Sequence, residues 1–291
     1  MSNGKAVPFR ATRAIGFALM SILFAGSAMA ENVDVFHADS LAGPMRALKA
    51  AFEAKNQGVT VNLTSGVSRQ LADRILGGET CDVFAPSSPA VADDMMGKKI
   101  SGGTQDGAAW YVIFSANEMA VITKKGNPLG IRQVSDLAKP GVKFIRVTGE
   151  KDLGTSRTIE FLKRATNAEG KADLAQKIID GAISDLAKPT SVPDTVRAVV
   201  EGKADAGVVY YSAAVAARND IDIVRFPANV NVSEAIRNAA MVPGTAKNPK
   251  EATAFVQFLM TEEGRKILLE TGQPPVAPAI RKGSVPAELK G

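Results

Sequence analysis

The sequence is short of the residues that most often carry catalysis. Among its 291 residues there is one histidine, one cysteine and one tryptophan. A lone cysteine excludes an intramolecular disulfide. Cys81 stands in Thr80-Cys81-Asp82-Val83-Phe84, which reads as the beginning of a buried strand where sulfur packs as a small hydrophobe. With His37 as the only histidine, a histidine-rich metal site or a histidine-assisted thiol lacks a second member. His37 itself reads as a strand residue with a local hydrogen bond. The patterns G-x-S-x-G, C-x-x-C, G-x-x-x-x-G-K-S/T and G-x-G-x-x-G do not occur. Asp93-Asp94 and Glu262-Glu263 read as acids on helix surfaces. These absences point away from an enzyme, and neither a cofactor nor a bare metal ion is expected.

Aromatic residues make up 5% of the chain, and Lys98-Lys99 and Lys124-Lys125 are isolated pairs. A basic stripe with interleaved rings is therefore missing, and nucleic acid is not an expected partner. No stretch beyond residue 30 is long and apolar enough to span a bilayer, which takes about 20 residues. The first thirty residues differ from the rest. Lys5, Arg10 and Arg13 make a basic start without an acid, Ala14 to Gly26 is an apolar run, and Ser27-Ala28-Met29-Ala30 ends in an A-x-A pattern. That three-part layout is that of a cleaved secretory signal peptide. Removing those three basic residues lowers the formal charge from +5 to +2. The mature chain, expected to begin at Glu31, carries no cysteine at its start for a lipid anchor. It reads as a soluble periplasmic monomer long enough for two domains.

Within 31–291 strand and helix patterns alternate. Val33 to Ala38 reads as a strand and Ser40 to Lys55 as an amphipathic helix. Val59 to Leu63 alternates with period two, Ser68 to Leu76 is helical, and Asp82 to Ala85 is a short buried strand. The rhythm continues through Glu118 to Thr123, Lys143 to Val147, Ser156 to Ala165, Thr195 to Glu201 and Ala206 to Tyr210, then a long helix at about Pro249 to Glu270. Such alternation implies an α/β fold of mostly parallel sheets flanked by helices. The hexapeptide Ser-Asp-Leu-Ala-Lys-Pro occurs at 135–140 and 184–189. Its flanks do not match, so each copy reads as a short capped turn stopped before proline.

In open parallel sheets ligands bind beyond the carboxyl ends of the strands, against the helices that follow. The N-termini of those helices carry unpaired N–H groups and partial positive charge, which attract anions. Small hydroxyl residues stand at several such junctions: Ser40, then Ser65-Gly66-Val67-Ser68, then Gly154-Thr155-Ser156, with Val192-Pro193-Asp194 opening another helix. Each alone is compatible with ordinary capping. Together, from both halves of the chain, they suggest a shared anion cradle that needs no lysine or arginine.

At these junctions the chain resembles the molybdate/tungstate-binding proteins of ABC importers. The resemblance runs through Val35-Phe36-His37-Ala38-Asp39-Ser40-Leu41, Ser65 to Ser68 with Leu71 to Ile75, Asp82 to Ser87, and Gly202 to Ser212. It implies a two-lobed type II periplasmic binding fold, with lobe I from 31–122 and 223–291, lobe II from 123–222, and crossovers near Val121 and Ile223. It further implies that Ser40 and Ser68 donate from lobe I. Gly154, Thr155 and Val192 would offer backbone N–H groups, and Tyr210 its phenol, from lobe II. Ser65 is the fallback for Ser68. The implied partners are the oxyanion, carrying molybdenum or tungsten, and the importer permease.

The chain also departs from that family. Asp39 stands where the family has alanine or glycine. Relatives that surround the metal with six oxygens use two carboxylates; Asp152 matches one, but Val209 takes the place of the other. Alternatives are the same class binding phosphate, a phosphonate or sulfate, a secreted phosphate- or ester-processing enzyme, and a signalling receptor on the same fold.

Overall fold

The structure is a computed structural model that describes residues 1–4, 31–149, 152–183 and 190–290. Most of the expected signal peptide and the second hexapeptide copy lie outside the described residues. Strand β1 (Glu31–Ala38) leads through a 3-10 turn (Asp39–Leu41) into α1 (Ala42–Lys55). There follow β2 (Val59–Gly66), α2 (Ser68–Leu76), β3 (Val83–Ala85) and α3 (Pro89–Met95). Next come β4 (Trp110–Ala116), β5 (Met119–Lys124), β6 (Phe144–Arg146), α4 (Leu153–Ala168) and α5 (Leu174–Asp180). The chain continues with α6 (Val192–Val200), β7 (Ala206–Tyr210), α7 (Tyr211–Ala216) and β8 (Ile221–Val224). It closes with β9 (Arg237–Ala240), α8 (Pro249–Met260), α9 (Glu262–Glu270) and β10 (Pro275–Gly283).

The strands form two groups. In the first, β2-β1-β3 are parallel, and Phe84 bridges Met241 so that β3 meets the antiparallel set β9-β4-β10. In the second, the order is β6-β7-β5-β8. Parallel pairing holds for β1 with β2 and β3, and for β6 with β7. The strands next to the crossings, β4, β5, β8 and β9, pair antiparallel instead, because a chain passing from one sheet to the other enters it against the local strand direction.

Alternation along β1 explains the layering. Val33 and Val35 face Leu41 of the 3-10 turn and Met45, Leu48 and Phe52 of α1, while Phe36 faces the other way onto Leu71 and Ile75 of α2. Phe52 meets Phe255 of α8 edge to face, ring centroids 5.1 Å apart. The second group has its own core, in which Phe161 and Leu162 of α4 and Val192 and Val199 of α6 cover Val121, Val208 and Val209. That core runs from Met119 to Ile236, and the fully buried residues of the other two clusters lie outside that span, with half-buried Leu153 packing across onto one of them. The core of the second group thus extends beyond the expected bounds of 123–222 on both sides, to Met119 and to Ile236. Those bounds cut through β5 and β8, whose Met119, Val121, Ile122, Ile221, Ile223 and Val224 pack in this core.

The expected long C-terminal helix is two helices. Thr261 is extended (φ −66°, ψ 165°) and its hydroxyl accepts the Gly264 N–H, capping α9. Gly264 makes the junction possible: a Cβ there would come 2.1 Å from the Phe258 carbonyl oxygen. Gly264→Ala is expected to lower stability by about 2 kcal/mol, as backbone must shift to relieve overpacking. Gly103→Ala, whose Cβ would meet nothing closer than 3.7 Å, is expected to change stability by less than about 0.5 kcal/mol. Urea denaturation of both variants checks this, and equal midpoints would contradict it.

Candidate functional site

The parallel strands of lobe I end level with one another. Ala38 is opposite Gly66, and His37 is opposite both Ser65 and Ala85. Beyond these ends lie the turn carrying Asp39 and Ser40, the start of α2 at Ser68, and Ser87. Lobe II supplies Asp152 and Leu153 at the start of α4, Val192 at the start of α6, and Tyr210 at the end of β7. All of them line one cleft between the lobes. Its volume is about 20 Å3, counted as space open to the centre of a water-sized sphere. A void of this measure holds little more than one water molecule.

Four of the expected donors meet here. Ser40 is 3% exposed, and its hydroxyl is buried without a hydrogen-bond partner, an arrangement that calls for a ligand or water. The Ser68 hydroxyl accepts the Ser87 N–H at 3.1 Å and lies 3.3 Å from the Ser87 hydroxyl. Val192 is the first residue of α6, where an N–H has no partner inside the helix. Tyr210 is 3% exposed. Burial, and then the nearby charge of Asp152, push its phenol pKa up, so at neutral pH it is a donor.

Gly154 and Thr155 are placed differently. Asp152 caps α4: its Oδ1 accepts the Gly154 N–H at 2.7 Å, and its carbonyl accepts the Thr155 N–H at 3.2 Å. Both expected donors are thus engaged by Asp152, which itself faces the cleft together with Leu153. The Thr155 hydroxyl, like that of Ser40, is buried and unpartnered. Gly154 leaves room for its neighbours, since a Cβ there would come within 3.0 Å of Asp152 Oδ1 and 3.6 Å of the Tyr210 ring.

Ser65 is spent elsewhere. Its hydroxyl donates to Asp39 Oδ1 at 2.5 Å, so Asp39 borders the cleft with its charge partly met. Asp152 has its pKa raised, chiefly by burial; the Gly154 N–H opposes this and the charge of Asp39 adds to it. Ser87 was not among the sequence-derived candidates, although Pro86-Ser87-Ser88 follows β3 as Ser40 follows β1. No group of three or more histidine, cysteine or acidic residues able to hold a metal ion occurs among the described residues.

A model of bacterial extracellular solute-binding proteins matches residues 33–273. The chain belongs to that family. Its members bind and hand over solutes, so this chain is a solute-binding protein and the enzyme alternative falls. It is similar to the molybdate-binding protein ModA of Mycobacterium tuberculosis, 29% identical over 243 residues that cover 84% of each chain. It is also similar to a sulfate-binding protein of Synechococcus elongatus, 26% identical and covering 78% of this chain and 66% of the other. Among solved structures it resembles the periplasmic molybdate-binding protein of Azotobacter vinelandii, with a TM-score of 0.66 at 19% identity over 84% of this chain and 99% of that one. That likeness shows the fold, two α/β lobes of the type II periplasmic binding class. Among the described residues no helix is long and apolar enough to cross a membrane.

The residue of β1 just before the cleft-lining Ala38 is a buried histidine. His37 is 2% exposed, its Nδ1 lies 2.9 Å from the Ala38 carbonyl oxygen, and burial holds its pKa below the usual 6.5. A folded-state pKa below the unfolded one means that the unfolded chain binds the proton first. This contribution to stability is present above pH 6.5 and is lost as the pH falls from there toward the depressed folded value. Denaturation at several pH values between 8 and 5 is expected to show a decline that His37→Gln flattens; an unchanged slope in the variant would refute the assignment.

Proposed function

We propose that this solute-binding protein captures a tetrahedral oxyanion, molybdate or tungstate, between its lobes and delivers it to the permease of an ABC importer. The observation that carries the reading is a set of neutral donors at one small interlobe cleft: the Ser40 and Ser68 hydroxyls, the α6 N-terminus at Val192 and the Tyr210 phenol. Gly154 joins the proposed shell when the Asp152 carboxylate turns aside, and Thr155 when the backbone turn from the Asp152 carbonyl opens. Hydrogen bonds to a charged group contribute about 1.5–3 kcal/mol each, so about five of them account for micromolar binding, roughly 8 kcal/mol, without a buried cation. The molybdenum or tungsten is thus held as its oxyanion, not as a bare ion. A ligand touching both lobes favours the closed arrangement, because only there are both sets of contacts made. We assign 31–118 and 237–291 to lobe I and 119–236 to lobe II, following the cores, and take the chain to act as a monomer.

Asp39 and Asp152 favour a second reading. A carboxylate beside the cleft suits a protonated oxyanion such as hydrogen phosphate or a phosphonate, whose proton it accepts; sulfate offers none at neutral pH. Calorimetric titration with molybdate, tungstate, sulfate and phosphate separates the readings. Molybdate and tungstate are expected to bind at least about tenfold tighter than sulfate, a difference of about 1.4 kcal/mol. Tyr210→Phe is expected to weaken molybdate by about tenfold or more, the loss of one hydrogen bond to a charged ligand. Tight phosphate binding abolished by Asp39→Ala would establish the second reading, and sulfate binding as tight as molybdate would overturn the first.

Export to the periplasm with cleavage after Ala30 belongs to the same proposal. In a Gram-negative host the periplasmic protein is expected to begin at Glu31 on N-terminal sequencing. Recovery of the intact Met1 terminus from cytosol would refute it.

A further inference from the structure

Behind the cleft, the crossings between the lobes enclose a buried polar cluster that the proposed function does not use. Asn117 lies between β4 and β5, Ser212 in the first turn of α7, Asn238 on β9, and Gln273 between α9 and β10; none is more than 1% exposed. The Ser212 hydroxyl stands at its centre. Asn117 Nδ2 donates to it at 2.9 Å and Gln273 Nε2 at 3.0 Å. Amide nitrogens only donate, so both lone pairs of the hydroxyl are taken and its one proton goes to the remaining partner. That partner is the Ser40 carbonyl, 2.5 Å away. Gln273 is oriented in turn by Asn238, whose Nδ2 donates to Gln273 Oε1 at 2.6 Å.

This hydrogen bond spans the lobes, since Ser212 follows Tyr210 by two residues while Ser40 belongs to the lobe I turn. Ser40, which lines the cleft, is thereby held by its carbonyl while its hydroxyl is buried without a protein partner. Two glycines permit the approach. A Cβ at Gly43 of α1 would lie 3.3 Å from Ala216 Cβ of α7, and one at Gly272 (φ +79°) would lie 3.0 Å from Ser212 Cα. In a cluster closed to water, losing the Ser212 oxygen takes the acceptor from Asn117 Nδ2 and leaves the Ser40 carbonyl with only the longer contact from Gln273 Nε2 at 3.4 Å.

We propose that Ser212 is a positioning residue for the cleft: its hydrogen bond to the Ser40 carbonyl seats the Ser40 turn of lobe I against α7 of lobe II and aims the Ser40 hydroxyl at the ligand. The binding readout rests on the oxyanion reading above; the exchange readout does not. The test uses the full mature chain as Ser212→Ala, Ser40→Ala, the double variant, and Ser115→Ala. The last removes a hydroxyl of the same cluster that reaches Asn238 at 2.9 Å and Gln273 at 3.5 Å but not Ser40.

With sodium molybdate as probe, Ser212→Ala is expected to weaken binding about tenfold in the unaltered chain, yet less than about twofold in the Ser40→Ala background. Ser115→Ala is expected to stay within about twofold of the unaltered chain. Without ligand, Ser212→Ala is expected to speed amide hydrogen exchange across residues 39–45 and to leave β4 unchanged. Equal losses in both backgrounds, an equal loss in Ser115→Ala, or unchanged exchange at 39–45 would overturn the proposal. If the unaltered chain does not bind molybdate, the oxyanion reading fails, while the exchange comparison still decides the role of Ser212.

Discussion

The cleft depends on three parallel strands stopping level with one another. β1 pairs with β2 as far as Ala38 and Gly66, and with β3 as far as His37 and Ala85. Parallel strands need crossovers, here through α1 and α2, so each strand end is followed at once by a turn or a helix start. Ser40, Ser68 and Ser87 reach the same rim for that reason. The register is held by burial on both faces of the sheet: a slip of one residue would exchange Val35 with Phe36 and turn apolar side chains out of two cores at once. The site and the core are thus set by the same alternation.

The electrostatics of the rim are a balance of opposing terms. Helix starts and hydroxyls present positive ends of dipoles to the cleft, while Asp39 and Asp152 present carboxylates. Asp39 is met by the Ser65 hydroxyl, and Asp152 by the Gly154 N–H at the cap of α4. Burial raises the pKa of Asp152 and the charge of Asp39 adds to the shift. An incoming anion therefore competes with Asp152 for the start of α4.

The lobes are separate in their cores and joined in their polar groups. Among the described residues no cluster of fully buried apolar side chains mixes the 119–236 span with the rest, and the half-buried Leu153 packs across onto the cluster of Phe36 and Leu71. What joins them at the crossings is hydrogen bonding among Asn117, Ser212, Gln273 and the Ser40 backbone. Directional bonds of this kind hold one relative orientation and lose their strength when it changes. An apolar interface would allow sliding.

Much of the element order was legible in the sequence because it rests on local patterns. The α2 boundaries at Ser68 and Leu76 and the β7 boundaries at Ala206 and Tyr210 follow from periodicity and capping, and the hydroxyl residues at strand ends pointed to the cleft for a local reason too. Other features depend on contacts between distant segments. The break of the last helix at Thr261 had a local signal in Thr261 and Gly264, but a helical period ran through it. Ser87 stood in the same kind of junction as Ser40. The engagement of Gly154 and Thr155 by Asp152, the pairing of Ser65 with Asp39 and the grip of Ser212 on Ser40 had no periodic signature. The alternation of strands with helices and the small donors at their junctions are readable from local sequence, since backbone propensity and side-chain period act over a few residues. Only the tertiary structure decided which donors remain free for a ligand, because a hydroxyl or N–H is available only when no other segment, however far along the chain, has already taken it.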